Sequence, residues 1–197
     1  KKTSQSELIR LMVGRALEDI YPRRTSQPRE ELLQVRRLKK EGRFQEVSFS
    51  LARGEILGIS GLVGSGRSDL ARCLFGAEPA SSGEVLLAGK PVRFKSPRSS
   101  VATGLALVTE DRQRDGLVLS CPIRYNVGLA TMRQMSRGIL LNRRLQGVEV
   151  LRMVEEMAIR PPQITKPVKE LSGGNQQKVV LAKWLLAKAR LLILDEP

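Results

Sequence analysis

Alternation of apolar and polar positions predicts β-strands in the first half of the chain. Val47, Phe49 and Leu51 recur at every second position, and the same spacing surrounds Leu33. Side chains with a period of two point to opposite faces of a strand, so this pattern is typical of a half-buried sheet. Residues 83–92, GEVLLAGKPV, read as a hairpin.

Three compact apolar runs also have the pattern of strands. Residues 54–60 (GEILGIS) run directly into a glycine-rich loop, and residues 104–112 (GLALVTEDR) end in charge. Residues 191–195 (LLILD) are apolar at every position until Asp195. A continuous apolar run of this kind is typical of a parallel strand that is buried on both faces.

Helical spacing alternates with these strands. Residues 6–19 predict a short helix that is followed by a polar linker with two prolines, and a helix after the glycine loop is expected to end at Gly76. Residues 122–160 are mainly helical in pattern, and Ser172 stands at the N-cap of a last helix. That helix places four apolar residues on one face: Val179, Ala182, Leu186 and Ala189.

The stretch GLVGSGRSDL at residues 61–70 has the spacing of a phosphate-binding loop, with Arg67 where lysine is usual. A strand, a glycine turn and a helix start aim backbone N–H groups and the helix dipole at one point, where an anion is favoured. The hydroxyl of Ser68 can reach a Mg²⁺ ion. The candidate phosphate contacts are Gly61, Gly64, Ser65, Gly66, Arg67 and Ser68.

The arginine changes the chemistry of this loop without abolishing it. A guanidinium is planar, bulkier than an ammonium and always charged, and it prefers two-pronged contact with phosphate oxygens. Arg67 can therefore neutralise phosphate, although from a different place than lysine would. The alternative is a glycine turn that binds nothing.

Two further motifs make a chance turn an unsatisfactory explanation. Asp195 follows an apolar strand and could hold Mg²⁺, and Glu196 could orient or deprotonate an attacking water. Upstream, LSGGNQQK puts Ser172, Gly173 and Gly174 at a helix start, which is a second potential anion site. In the chain the glycine loop comes first, LSGGNQQK second, and Asp195 and Glu196 last.

Composition limits the possible functions only weakly. The chain of 197 residues is 41% apolar and 27% charged, as in an ordinary soluble globular protein. Its apolar runs are too short to cross a membrane, and Cys73 and Cys121 lack metal-ligand spacing, so reduced cytosolic thiols are expected. The net charge of +14 is spread along the chain, and 4 Phe, 2 Tyr and 1 Trp offer few surfaces for stacking bases. These facts weaken a nucleic-acid interpretation, and contact with ATP, acidic lipid headgroups or an acidic partner would explain the charge equally well. No nucleic-acid partner is expected.

From about residue 35 to residue 197 the sequence resembles the ATP-binding cassette ATPases of transporters. GLVGSGRS looks like their Walker A motif, LSGGNQQK like their signature and LLILDEP like Walker B. It is most similar to the second cassette of sugar importers of the ribose, galactose and xylose type. The resemblance implies an α/β phosphate-loop NTPase core with an antiparallel β portion, an inserted helical subdomain at about 118–175, and a cassette truncated at its C-terminal end.

The resemblance also divides the chain and adds residues to the site. Residues 1–21 would be the end of a preceding cassette, 22–34 a linker and 35–197 the second nucleotide-binding domain. ATP and Mg²⁺ are the implied cofactors, with Ser68 and Asp195 at the metal and Glu110 and Gln176 as additional nucleotide contacts. Glu110 replaces the usual glutamine, and Phe44 is the one candidate for stacking on adenine.

The implied partners are transmembrane permease subunits, the other cassette of the same chain and, indirectly, a periplasmic sugar-binding protein. The expected location is the cytoplasmic face of the bacterial inner membrane, as a peripheral protein. The chain has no initiator methionine and no histidine, so a fragment that lacks the switch histidine and the last strands, and is inactive alone, is expected. Two alternatives stay open: a regulatory cassette that binds ATP with little turnover, and a non-transport cassette ATPase acting on nucleic acid or the ribosome.

Overall fold

The computed structural model describes residues 30–138 and 140–196. The helix predicted over residues 6–19 and the segment assigned to a preceding cassette, residues 1–21, lie outside the described residues. Within the described residues the buried apolar side chains form one core cluster.

A four-stranded antiparallel sheet opens the described chain. Its strands are β1 (Glu31–Lys40), β2 (Phe44–Ala52), β3 (Ser82–Leu87) and β4 (Lys90–Val92), in the order β2-β1-β3-β4. β2 follows the predicted two-residue alternation at Val47, Phe49 and Leu51, whereas β1 departs from it at irregularities in its pairing. The hairpin predicted at 83–92 is confirmed as β3 and β4.

The first strand begins earlier than the sequence pattern suggested. Leu32 and Leu33 are buried in β1 at 6% and 4% exposure, and Val35 pairs with Phe49 on one side and Val85 on the other. Residues 31–34, which were expected in a linker, are therefore part of the sheet, while the domain division itself stays a prediction.

Helix α1 (Arg67–Leu74) follows the glycine loop, as predicted. It buries Leu70 and Leu74 and ends before Gly76, whose φ of +69° is a left-handed conformation that favours glycine. A Cβ at Gly76 would lie 2.8 Å from the carbonyl oxygen of Phe94, so the helix end also requires glycine for space.

A short helix, α2 (Pro97–Ala102), leads into strand β5 (Leu105–Val108). β5 pairs in parallel with the last strand, β8 (Leu191–Leu194), so that Leu105 lies opposite Leu191 and Val108 opposite Leu194. This confirms the predicted strands at 104–112 and 191–195 in type, although both are shorter.

Between these two strands lies the helical subdomain. It contains α3 (Ile123–Gly128), a two-residue hairpin of β6 (Ser136–Arg137) and β7 (Leu140–Leu141), and α4 (Arg143–Glu156). The pattern over 122–160 predicted mainly helix and missed this hairpin, in which Ser136 pairs with Leu141. A two-residue ladder is too short for periodicity to reveal.

The last helix, α5 (Gly173–Leu186), begins at the predicted N-cap, Ser172. Val179, Ala182 and Leu186 are buried as expected, whereas Ala189 lies beyond the helix end. Trp184 of α5 meets Phe75 edge to face, with ring centres 5.9 Å apart, and this contact joins α5 to the end of α1.

One predicted strand and one predicted burial pattern were wrong within the described residues. Residues 55–60 form no strand, and Ile56 and Ile59 are 86% and 48% exposed. A strand needs a hydrogen-bonded neighbour, and the parallel sheet here contains β5 and β8 alone. β8 is also not buried on both faces: Leu192 and Leu194, which point to the same face of the strand, are 40% and 48% exposed.

Candidate functional site

The glycine loop has the conformation that a phosphate cradle needs. Gly64 and Gly66 have φ values of +82° and +86°, in the left-handed region. Gly66 is the N-cap of α1, and a Cβ there would lie 2.7 Å from the carbonyl oxygen of Arg43. Glycine at this position is therefore required by both backbone angle and space, and it lets α1 start directly above the loop.

The parallel pairing of β5 and β8 brings three more predicted site residues, Glu110, Asp195 and Glu196, to one edge. Thr109 and Glu110 follow β5, and Asp195 and Glu196 follow β8. The N–H of Asp195 donates to the carbonyl oxygen of Val108 at 2.9 Å, so both strands leave the sheet at the same level. Ligands of parallel sheets bind at this carboxyl edge.

The loop meets the Walker B acids through two side-chain contacts. The hydroxyl of Ser68 donates to Oδ1 of Asp195 at 3.1 Å. Nη2 of Arg67 donates to Oε1 of Glu196 at 3.0 Å, in an ion pair whose side chains are 31% and 54% exposed. Four residues that the sequence placed in two distant motifs thus converge at one point.

Glu196 has a backbone conformation that is unusual for its type. Its φ is +45°, and non-glycine residues in this region cost about 1–2 kcal/mol each. Such outliers cluster at active sites, where the surrounding structure holds them. In this conformation the carboxylate of Glu196 lies beside the phosphate loop, where it accepts from Arg67.

The oxygen atoms at this point fit magnesium better than a softer metal. Mg²⁺ is usually held by one or two carboxylates together with phosphate oxygens and water, and Ser68 and Asp195 supply a hydroxyl and a carboxylate in mutual contact. Among residues 30–138 and 140–196, no group of three or more His, Cys, Asp or Glu side chains forms a metal cluster. The donor set is therefore compatible with Mg²⁺ shared with a phosphate ligand.

The signature residues form a second exposed site at the start of α5. Ser172 has extended backbone angles, and its hydroxyl accepts from Nδ2 of Asn175 at 3.0 Å rather than capping a backbone N–H. A Cβ at Gly174 would meet nothing within 4 Å, whereas one at Gly173 would lie 2.8 Å from Nη2 of Arg112. Ser172 and Gly174 are exposed, so this helix start is open to solvent on the Gly174 side.

Three predicted contacts have surroundings that the sequence did not reveal. Glu110 is exposed at the carboxyl edge. Gln176 is 4% exposed; its amide accepts from Gln113 at 3.0 Å and donates to the carbonyl oxygen of Val168 at 3.3 Å. Phe44 is 8% exposed, and its Cβ packs on Gly66, so little of its ring is free to stack on a base.

Sequence reasoning overlooked the turn after Glu110 as a structural unit. Residues Arg112–Gly116 form a single π-helical turn, which the carboxylate of Asp111 caps by accepting from the N–H groups of Gln113 and Arg114. The signal was an aspartate followed by a run of polar residues, which favours local capping. Lys183 of α5 also contacts this turn. The sequence gave no sign of this contact, because the residues next to Lys183 on α5 are apolar.

Comparison with known proteins places the chain in a family. The model of the ABC transporter family matches residues 44–197. A ribose import ATP-binding protein of Streptomyces coelicolor is 44% identical over 99% of this chain and 38% of its own length. One from Geobacillus kaustophilus is 42% identical over 100% and 40% of the two chains. A putative ribose/galactose/methyl galactoside import ATP-binding protein of Burkholderia ambifaria is 44% identical over 99% and 38%.

Solved structures support the same fold. A nucleotide-free ATP-binding cassette from an ABC transporter matches 83% of this chain and 68% of its own with a TM-score of 0.69 at 19% identity. A component of an ABC transporter complex from Clostridium perfringens matches 86% and 66% with a TM-score of 0.66 at 23% identity. The architecture is therefore that of a phosphate-loop NTPase cassette, with its antiparallel sheet and helical insertion.

Two facts limit what the comparisons establish about this chain. The chain spans about 40% of the length of the curated relatives it matches. No helix among the described residues is long and apolar enough to cross a membrane. Within those bounds the motifs, the fold and the family match agree, and the chain belongs to the ABC transporter family.

Proposed function

We propose that the protein containing this chain binds and hydrolyses ATP to drive import of a monosaccharide. The observation that carries the proposal is the convergence of Arg67 and Ser68 on Glu196 and Asp195. This convergence unites a phosphate cradle, a metal-binding pair and a carboxylate, which are the parts that phosphoryl transfer to water requires. The names of the sugar-import relatives support the transport role.

Each residue of the first site has a proposed role. The N–H groups of Gly64, Ser65 and Gly66 hold phosphate oxygens, and Gly61 gives the loop room to approach them. Arg67 neutralises phosphate charge, and the exposed Glu110 contacts the nucleotide at the carboxyl edge. Glu196 accepts a proton from the attacking water.

Magnesium would be held by Ser68 and Asp195. When bound, the ion neutralises charge on the phosphates and orients them for displacement. The hydroxyl and carboxylate are already in contact, so little rearrangement of the protein is needed to present both oxygens to one ion.

The signature residues serve a second ATP. In the head-to-tail pairing of cassettes that the family resemblance implies, Ser172, Gly173 and Gly174 face the phosphate loop of another cassette. Their N–H groups and the hydroxyl would stabilise the negative charge that develops on the transferring phosphoryl group. Gln176 is proposed to support this site, although its side chain is buried.

The two ATP sites are unequal in this proposal. Arg67 occupies one oxygen of Glu196, which leaves the carboxylate one acceptor fewer for a proton from water. The site built on Arg67 would therefore mainly hold nucleotide, and the site completed by Ser172 would carry most of the turnover.

The proposed partners are permease subunits in the membrane, a periplasmic sugar-binding protein and another cassette of the same chain. The proposed location is the cytoplasmic face of the inner membrane, since import proteins of this kind act there on a permease. Mg²⁺ and ATP are the proposed cofactors.

Reconstitution tests the function. The full-length protein, its permease and its sugar-binding protein are placed in vesicles, and uptake of labelled ribose and galactose is measured with and without Mg²⁺ and ATP. We expect ATP-dependent uptake of at least one sugar and its loss in Asp195→Asn, with Arg36→Ala as control, because Arg36 only forms an exposed ion pair with Glu84 on the antiparallel sheet. Uptake that persists without ATP, or that survives Asp195→Asn at the full rate, contradicts the proposal.

A further inference from the structure

One stripe of α5 faces the turn at Arg112–Gly116. Four residues of the helix contribute to this stripe, at spacings of three, four and three, and therefore lie on the same side of the helix. They are Gly173, Gln176, Val180 and Lys183. The stripe starts at the signature glycine and extends to the last turn of the helix.

Two hydrogen bonds join the stripe to the turn. Nε2 of Gln113 donates to Oε1 of Gln176 at 3.0 Å. Nζ of Lys183 donates to the carbonyl oxygen of Gly116 at 2.9 Å, and this bond is buried. The turn is thus held near both of its ends.

Close packing completes the contact. A Cβ at Gly173 would lie 2.8 Å from Nη2 of Arg112, and a Cβ at Gly116 would lie 3.4 Å from Val180. A side chain at Gly173 would have to displace the flexible end of Arg112, and its absence lets the guanidinium of Arg112 lie against the helix start.

Burial of the Lys183 side chain at this position costs free energy. It is 6% exposed, and burial lowers its pKa to about 8. Among the described residues, Lys183 forms no ion pair. Its Nζ lies 4.5 Å from the ring centre of Trp184. A buried cation without a carboxylate is costly, and an apolar residue of the same length is often as stable or more so. Helix packing alone therefore does not explain a lysine here.

We propose that Lys183 is a positioning residue that clasps the 112–116 turn to α5, so that the turn and the signature move as one body. The turn follows Glu110, which comes two residues after β5 at the carboxyl edge where Asp195 follows β8, and α5 begins after its N-cap, Ser172. The clasp therefore links Glu110, at the site that binds one ATP, to the residues at the start of α5 that serve the other ATP. This step rests on the proposed ATPase function, whereas the clasp itself does not.

The test uses the full-length protein with its permease. Lys183→Met keeps the length of the side chain and removes the donor, and Lys183→Arg restores a cation that can donate to Gly116. Lys166→Met is the matched control, because it removes an ion pair with Glu170 without touching the turn. ATP turnover is normalised to the number of nucleotide sites, and amide hydrogen exchange is followed over residues 110–118.

We expect Lys183→Met to lower kcat about five- to tenfold, the effect of one lost hydrogen bond of about 1 kcal/mol or slightly more. KM for ATP should change by less than about twofold, because the phosphate loop is untouched. Exchange over 112–117 should become faster. Lys183→Arg should recover most of kcat, and Lys166→Met should match wild type in both measurements.

Several outcomes would overturn the proposal. A structural role alone would lower the number of active sites and leave kcat per site unchanged. Equal exchange over 112–117 in wild type and Lys183→Met would show that no clasp exists. If Lys183→Met does not fold, Gln113→Ala is used instead, because Gln113 is exposed and its loss removes the hydrogen bond to Gln176. Unchanged kcat and unchanged exchange over 112–117 in Gln113→Ala would refute the clasp. Absence of ATP hydrolysis in wild type would refute the proposed function instead, while the exchange measurement still tests the clasp.

Discussion

The hydroxyl of Ser68 lies 3.1 Å from Oδ1 of Asp195, although 127 positions separate the two residues in sequence. The contact exists because β8 pairs in parallel with β5 and ends at the level of the glycine loop. Neither residue is unusual alone, since serines at helix starts and acids after strands are common. Their contact defines where a divalent cation and a phosphate chain could meet.

Removing this hydroxyl should weaken ATP binding only when magnesium is present. We expect Ser68→Ala in the complete protein to lower Mg²⁺-dependent ATP affinity about tenfold or more, the range for a lost hydrogen bond to a charged group. Affinity in excess EDTA should stay the same. Ser48→Ala is the control, because the Ser48 hydroxyl accepts from the N–H of Arg37 on the far sheet. Unchanged Mg²⁺-dependent affinity in Ser68→Ala would refute the metal assignment.

Charge, rather than arginine as such, should matter at position 67. Arg67→Lys keeps the cation and is expected to retain ATP affinity or improve it. Arg67→Ala should weaken binding by about 1.5–3 kcal/mol, the contribution of charge-assisted bonds. Titration with a non-hydrolysable ATP analogue measures both variants. A similar loss in the two would show that the planar guanidinium is essential.

Unequal sites should respond unequally to mutation. Ser172→Arg blocks the open helix start and is expected to abolish ATP-driven sugar uptake, because one lost transition-state donor is worth about 2.7–4 kcal/mol. Arg67→Ala should leave a measurable fraction of uptake. Uptake and ATPase rates are compared for both variants in the reconstituted importer, and equal losses would refute the asymmetry.

The buried lysine predicts a rise in stability with pH. Burial lowers the pKa of Lys183 from 10.5 to about 8, so between these values the unfolded chain holds a proton that the folded chain has released. The free energy of unfolding must then increase with pH across this window. Urea denaturation of wild type and Lys183→Met from pH 7 to pH 10 isolates the effect as a difference. We expect wild type to gain about 1 kcal/mol or more on the variant, and a difference that is flat with pH would contradict the assignment.

The sequence predicted the elements that depend on local pattern. Alternation identified β2 and part of β1, residues 83–92 were recognised as a hairpin, and glycines marked the loop and the end of α1. The spacing of the motifs also predicted that Ser68 would serve the same site as Asp195. Local pattern failed where a neighbour decides the outcome: residues 55–60 have the composition of a strand, but no described strand pairs with them. It also could not show that Gln176 is buried against Gln113, because that contact depends on a π-helical turn far away in sequence.

Because β5 and β8 are hydrogen-bonded neighbours, the helical subdomain leaves and re-enters the sheet through two adjacent strands. The whole insertion behaves as a loop whose two ends are held next to each other by the pairing of β5 and β8. The entropy of closing such a loop grows only slowly, by about 0.6 kcal/mol for each doubling of its length. Additions or deletions between α3 and α4 should therefore leave the pairing of the two strands intact. The surface of this subdomain can therefore change in evolution while the carboxylates of Asp195 and Glu196 stay beside Ser68 and Arg67.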